Sequence, residues 1–272
     1  MNKLIIACYC VNFENYDALA SILEPLKRYD VGVELSLFDD PDYIARLRAV
    51  RGRFAPYYTT FHAPHIEVEA TSPEGSAGHA RILRAMAESF DIYGEFGAHS
   101  IVMHTNQVSF KPEEKRALQQ RSLNTLRQIG RMAAAKDIDL LIENVGEGIF
   151  DSMLFDEDEF VALFDQVDPA SNCLIDIGHA MINDWDFEKL IRRLGKRIHA
   201  YHLHNNDGRA DIHRPLFEAG MKYDAARLKQ LLGWAERHSP RADWILEYAP
   251  GAHITPELVE GEVRQLLALM GR

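Results

Sequence analysis

The sequence predicts an α/β fold, a single-domain (β/α)8 barrel, on three observations. Short apolar runs rich in β-branched residues recur eight times, each is followed by a longer stretch of helical periodicity, and the repeat averages about 34 residues over the 272-residue chain. Strict alternation of this kind implies a parallel sheet. A doubly wound open sheet is the competitor, but the first strand runs into Tyr9-Cys10-Val11-Asn12-Phe13 without the glycine-rich turn that a dinucleotide fold requires there. With no linker, repeat or low-complexity tract, residues 1–272 read as one barrel.

In chain order the strands are read over Leu4 to Val11, Val31 to Leu37, Tyr57 to His62, Ser100 to His104, Ile138 to Glu143, Cys173 to Asp176, Ile198 to His204 and Trp244 to Glu247. The helices between and after them are read over Tyr16 to Arg28, Pro41 to Val50, Gly78 to Phe96, Pro112 to Lys136, Asp158 to Val167, Asp186 to Leu194, Asp224 to Arg237 and Pro256 to Met270. The fourth helix carries the clearest face, with Leu118, Ser122, Thr125, Leu126, Ile129, Met132 and Ala133 at three-and-four spacing. Pro112 fits its first turn, where a missing N–H costs nothing. The longest irregular stretch, Ala63 to Ala77, is a candidate lid.

Composition narrows the function classes. A net charge of -11 argues against broad binding to nucleic acid or anionic lipid. No apolar run approaches the roughly 18 residues of a membrane span, and the amino terminus carries no cleavage signal, so a cytoplasmic location is expected. The three cysteines, Cys8, Cys10 and Cys173, form no Cys-x-x-Cys pair and read as reduced thiols, Cys8 and Cys10 as barrel filling. Nothing in the sequence excludes an oligomer.

In such a barrel chemistry collects at the carboxyl ends of the strands, so polar residues that end apolar runs carry the functional signal. Here they are His62, His104, Glu143, Asp176, the run Tyr201-His202-Leu203-His204-Asn205-Asn206-Asp207, and Glu247, with His179, Asp211 and His213 in adjoining loops. Several acids and imidazoles gathered in one partly dry mouth repel unless cations sit among them. Imidazole with carboxylate, and no cysteine, suits zinc, manganese, magnesium or cobalt in a working site rather than a structural zinc cage. His202 and His204 both face the interior by period two, and His204, nearer the carboxyl end, is the preferred ligand. His65 reads as a lid residue in contact with substrate or as a plain loop histidine, Asn144 and Asn205 as substrate contacts or as hydrogen-bonding supports of the ligands, and His202, where His204 is the ligand, as a substrate contact. His99 and His199 open their strands at the opposite end and read as structural, and no nucleophile elbow, Walker loop or His-Glu-x-x-His helix is present.

The motifs His62-Ala63-Pro64-His65, Ile142-Glu143-Asn144, Asp176-Ile177-Gly178-His179, His202-Leu203-His204-Asn205-Asn206-Asp207, Asp211-Ile212-His213 and Leu246-Glu247 together resemble the xylose isomerase-like TIM-barrel superfamily. That superfamily joins sugar and sugar-phosphate isomerases and epimerases with AP endonucleases of the endonuclease IV type. The resemblance spans nearly the whole chain. In the epimerase branch it implies one divalent ion on Glu143, Asp176, His204 and Glu247. In the endonuclease branch it implies up to three, with His62 and His104 beside Glu143 for one and His179, Asp211 and His213 for another. Thr105-Asn106-Gln107 follows His104 where the DNA-repair members carry Pro-Gly, Tyr248-Ala249-Pro250 follows Glu247, and the loop from His204 to Asp211 is short. These departures argue against an AP-site DNA substrate.

Two mechanisms follow. One divalent ion against the three carboxylates Glu143, Asp176 and Glu247 leaves a formal charge of about -1, suited to a neutral sugar chelated through hydroxyl and carbonyl oxygens. Glu143 and Glu247 would then exchange the proton α to the carbonyl, one as base and one as acid. Three ions against Glu143, Asp176, Asp211 and Glu247 leave about +2, suited to a phosphate ester. The acidic balance and the missing DNA-repair signatures put the isomerase or epimerase first, acting on a small sugar or sugar phosphate, with the multinuclear phosphoester hydrolase as the alternative. A sugar-binding barrel without turnover is a third, nonenzymatic reading.

Overall fold

The computed structural model describes residues 2–7, 16–66, 68–146, 152–248 and 254–272. Its strands are β1 (Leu4–Ala7), β2 (Gly32–Ser36), β3 (Thr59–His62), β4 (Ile101–His104), β5 (Leu140–Glu143), β6 (Asn172–Asp176), β7 (Ile198–Leu203) and β8 (Asp243–Leu246). They pair in parallel in sequence order, and β8 closes onto β1 through Leu4 opposite Trp244 and Ile6 opposite Leu246. The expected barrel is therefore the observed one. The expected extension of the first strand to Val11 lies outside the described residues, as do Cys8 and Cys10.

The helices are α1 (Tyr16–Leu23), α2 (Pro41–Phe54), α3 (Ala77–Phe96), α4 (Lys115–Ala134), α5 (Glu157–Leu163), α6 (Ile177–Ile182), α7 (Phe187–Leu194), α8 (Ala225–His238) and α9 (Pro256–Leu269). Three expected helices are shorter as α-helix than the periodicity implied, among them α5, which ends at Leu163 where Val167 was expected. Residues Glu24–Tyr29, with Pro25 unable to donate an N–H, tighten into a 3₁₀ turn that Asp30 ends at φ 53°. Pro112–Glu114 form a 3₁₀ turn ahead of α4. On α4 the buried face holds Ser122, Thr125, Leu126, Ile129 and Ala133 as expected, with Leu118 and Met132 packed half-buried at its margin. The six-residue α6 was not foreseen: Asp176 Oδ1 accepts the His179 N–H at 2.7 Å and starts a helix directly at the end of β6.

Strand alternation divides the apolar residues in two. One set packs outward against the helices, and a small plug of Ile5, Ala7, Val102, Leu141, Leu174, Ala200 and Ile245 fills the barrel axis. Two residues further along β4 to β8, on the same inward face, stand His104, Glu143, Asp176, His202 and Glu247. The site is thus the layer directly above the apolar plug, and His204 is one step higher on β7.

The irregular stretch after β3, the candidate lid, is anchored at several of its described residues. Val68 and Ala70 are buried in the outer core, and the Glu69 carboxylate accepts the N–H groups of Thr71 and Gln107, each at 2.7 Å, which ties it to the loop after β4. At the other end of the barrel His99 stacks on Tyr58 with centroids 3.8 Å apart, and His199 Nδ1 lies 2.7 Å from Asp139 Oδ2, in keeping with their structural reading. Cys173 is a buried free thiol. Among the described residues no helix is long and apolar enough to cross a membrane.

Candidate metal centre

Glu143 stands at the middle of the polar layer, 1% exposed. Its Oε2 lies 3.2 Å from His104 Nε2 and 3.6 Å from His62 Nε2, and those two nitrogens are 3.1 Å apart. Its Oε1 lies 3.5 Å from His179 Nδ1 and 3.4 Å from His202 Nδ1. On the far side of Asp176, His204 Nε2 is 3.0 Å from both carboxylate oxygens. Asp211 Oδ2 is 3.3 Å from His179 Nε2 and 2.9 Å from His213 Nε2, and the ring of His213 stacks on that of His204 with centroids 3.8 Å apart. All nine ligand candidates read from the sequence are therefore brought together. Their donor atoms form groups lying within 4.8 Å of one another: His62, His104 and Glu143; Glu143, Asp176 and His202; Asp176, His204 and Glu247; and His179, His204, Asp211 and His213.

Three features of these residues fit divalent cations. Metal–ligand bonds of roughly 2.0–2.1 Å at the tetrahedral angle set ligand atoms about 3.3 Å apart, close to the spacings around Glu143 and Asp211. Glu143 Oε2, Asp211 Oδ1, His204 Nδ1 and His213 Nδ1 are buried polar atoms without a hydrogen-bond partner among the described residues, an arrangement that costs free energy unless another group meets them. Finally, two rings have their outward nitrogen anchored to an obligate acceptor. His62 Nδ1 donates to the Ala63 carbonyl at 2.9 Å and His179 Nδ1 to the Asn144 carbonyl at 2.8 Å, so in each neutral ring Nε2 turns a lone pair into the cluster.

The charges compensate even without cations. Burial works to raise the Asp176 carboxyl, but His179 and His204 outweigh it and hold it down at about 2. Burial likewise opposes ionisation of Glu143, yet the adjacent His104 and His202 hold it well below the usual carboxylate range. Burial would lower His213, but Glu247 and Asp211 raise it to about 9. His65, half-buried against His62 with ring centroids 4.8 Å apart, is pushed well down by burial and by the neighbouring imidazoles, leaving a neutral ring at the rim.

Three of the four expected substrate contacts have other geometry. Asn205 spends its amide on loop backbone, donating to Leu216 O at 2.9 Å and Tyr223 O at 2.7 Å and accepting from Asn206 N and Tyr223 N. Asn144 bridges to β6, donating to Asp176 O at 3.0 Å and accepting Asp176 N at 2.8 Å. His202 has no exposed surface and forms the floor of the cluster, so it faces ligands rather than the mouth. As for the choice between His202 and His204, the fold brings in both, on successive inward positions. Glu34 was missed altogether: 2% exposed on β2, it lies 3.0 Å from His202 Nε2. The signal available was an acid amid apolar neighbours in a strand with both faces covered.

A closed parallel barrel with an imidazole and carboxylate cluster at its carboxyl end defines a class, and residues 30–240 match the family described as xylose isomerase-like TIM barrel. The chain belongs to this family. No curated protein matches it in sequence. Among solved structures, the IOLI protein with a bound zinc atom is 14% identical with a TM-score of 0.76, covering 99% of this chain and 98% of that one. A D-tagatose 3-epimerase-like protein is 16% identical, TM-score 0.72, with 98% and 99% covered. A family 2 AP endonuclease from Brucella melitensis is 15% identical, TM-score 0.71, with 97% and 99% covered. At these identities the likeness establishes the fold.

Proposed function

We propose that this protein is a divalent-metal-dependent hydrolase of small-molecule phosphate esters, with a multinuclear centre built around Glu143. The order expected from overall charge is thereby reversed. The observation that carries this reading is the use of Glu143: its Oε2 faces the imidazole pair His62 and His104, and its Oε1 faces His202 on the other side. A carboxylate so enclosed is shaped to bridge ions. Its burial at 1% exposure weighs against the open approach to a substrate C–H bond that the proton exchange of an isomerase would need.

His62, His104 and Glu143 would hold one ion, Glu143, Asp176, His204 and Glu247 a second, and His179, Asp211 and His213 a third. Divalent cations bound there would supply positive charge to phosphoryl oxygens and lower the pKa of a water. The chain's own part is to hold the ligands rigid above an apolar plug and to exclude bulk solvent from the cluster. Glu247, at 6% the most exposed of the three strand-end carboxylates, is the group suited to take the proton as water attacks phosphorus. The P–O ester bond breaks and the departing oxygen takes up the proton that Glu247 received from the water. His65 at the rim, a neutral donor, suits contact with the substrate.

A sugar isomerase or epimerase is the second reading. It is favoured by Asp176, His204 and Glu247, which form a compact group of their own, and by the epimerase-like structural neighbour. Metal content separates the two. His213→Ala should lower the bound metal by about one ion from a wild-type value above one, with turnover of a chromogenic aryl phosphate falling by several powers of ten. One ion per chain in both proteins would remove the hydrolase reading and promote the isomerase.

A further inference from the structure

At the end of the barrel away from the metal ligands, Tyr58 packs against the apolar plug, and its ring lines a second cavity of about 420 Å³. Residues that open strands, not residues that close them, form its walls, among them Ser100, Asp139, His199 and Asp243. A space of this size suits a small organic molecule. The protein itself already meets the two carboxylates there. Asp139 accepts the Asn172 amide at 2.8 Å through Oδ1 and faces His199 Nδ1 at 2.7 Å through Oδ2. Asp243 accepts the Lys3 N–H at 2.7 Å and the Tyr58 hydroxyl at 3.0 Å, while the Lys3 ammonium turns to Asp30.

What remains is a surplus of donors. Lys196, Arg241 and Ser100 line the same cavity, and none of these three side chains has a polar partner among the described residues. Lys196 and Arg241 are exposed and lie just ahead of the neighbouring strands β7 and β8, so both charges reach one wall. Another wall is a flat ring. His99 is exposed and stacks one face on Tyr58, with centroids 3.8 Å and planes 4° apart, and no ring among the described residues covers its other face. Two cations beside a hydroxyl match a phosphomonoester, which carries about -1.5 to -2 at neutral pH, and an open imidazole face matches a planar ring. We propose that this cavity binds a small phosphate-bearing molecule with a planar ring, Arg241 and Lys196 holding the phosphate and His99 the ring. The apolar plug separates it from the metal centre, so its occupancy does not depend on bound ions or on how that centre is read.

Phenylphosphonate presents both parts and has no ester bond to hydrolyse. It is titrated calorimetrically into zinc-loaded and chelator-treated protein, with methylphosphonate and inorganic phosphate as probes that lack the ring. Chelator-treated wild type should bind one phenylphosphonate per chain, and the same site should persist in the zinc-loaded protein beside any binding at the metal centre. Arg241→Ala and Lys196→Ala should each weaken it by about tenfold, and Arg241→Lys should recover part of that loss. His99→Ala should bring phenylphosphonate down to the affinity of methylphosphonate. All three side chains are exposed, so these variants should fold. Binding seen only with zinc, binding undiminished when Arg241 and Lys196 are both alanine, or inorganic phosphate binding as tightly as phenylphosphonate each overturns the proposal.

Discussion

Gly178 and His204 occupy one space: a Cβ on Gly178 would fall 1.9 Å from His204 Cε1 and 2.4 Å from its Nε2. The imidazole reaches Asp176 only because residue 178 has no side chain. Gly178→Ala should therefore displace the ring, lower bound metal by about one ion and reduce turnover by about two orders of magnitude, roughly 2.7 kcal/mol of lost transition-state stabilisation. Circular dichroism should report an intact fold, because alanine favours the helix in which residue 178 sits. Wild-type metal content in this variant would break the link between the two residues.

Glu143→Gln replaces the central carboxylate by an amide that cannot bridge cations. Turnover should fall by about a thousandfold or more, with the metal held by His62 and His104 lost first. The barrel should remain, since the plug below and the outer core are untouched. Near-normal hydrolysis of an aryl phosphate would remove Glu143 from the working set.

Chelation offers a test free of mutation. A ligand present at about 100 times its dissociation constant stabilises the native state by about 2.7 kcal/mol. For a barrel of this size that corresponds to roughly 5–10 °C in Tm. Dialysis against a strong chelator should lower Tm by about that amount and zinc should restore it. A Tm indifferent to chelation would mean that nothing of consequence had been bound.

Glu262 gives a pH signature unconnected with metal. It is 4% exposed on α9, accepting Phe217 N–H at 2.9 Å and the Tyr248 hydroxyl at 2.8 Å, and burial pushes its carboxyl up to about 7 despite those donors. A carboxyl raised in the folded state gives stability that is full below its unfolded pKa and is lost as pH rises through the folded one. Between pH 5 and 8 the wild type should lose up to about 3 kcal/mol on this account. Glu262→Gln should not, so denaturation at the two pH values should show the variant gaining on the wild type. An unchanged difference would mean that Glu262 ionises normally.

The strand ends were legible because burial and chemistry conflict there: an apolar run that stops at His104, Glu143 or Asp176 marks both the edge of the plug and the start of the site. His179, Asp211 and His213 were legible through ligand type and the resemblance. For Asn144 and Asn205 the sequence left two roles open, because an amide can serve a substrate or nearby backbone equally well, and only the fold reveals which partner comes first. Glu34 was missed because attention went to strand ends, whereas its partner approaches from the opposite side of the barrel. The α6 turn was missed because Asp176, taken as a ligand, was not also considered as a helix cap.

That double use of Asp176 has a consequence for engineering. One oxygen of its carboxylate sets the backbone of residues 177–179 while the pair of them faces His204, so the register of His179 and the reach of His204 are mechanically one part. The rim segments 63–76 and 105–111 are tied to the site as well: the Ala63 carbonyl meets His62 Nδ1 and the Gln107 side chain meets His104 Nδ1, beside the Glu69 tether to Thr71 and Gln107. A randomised library aimed at the rim has to keep Ala63, Glu69 and Gln107 to leave the chassis unaltered, whereas diversity admitted between 176 and 179 dismantles the engine before selectivity can change.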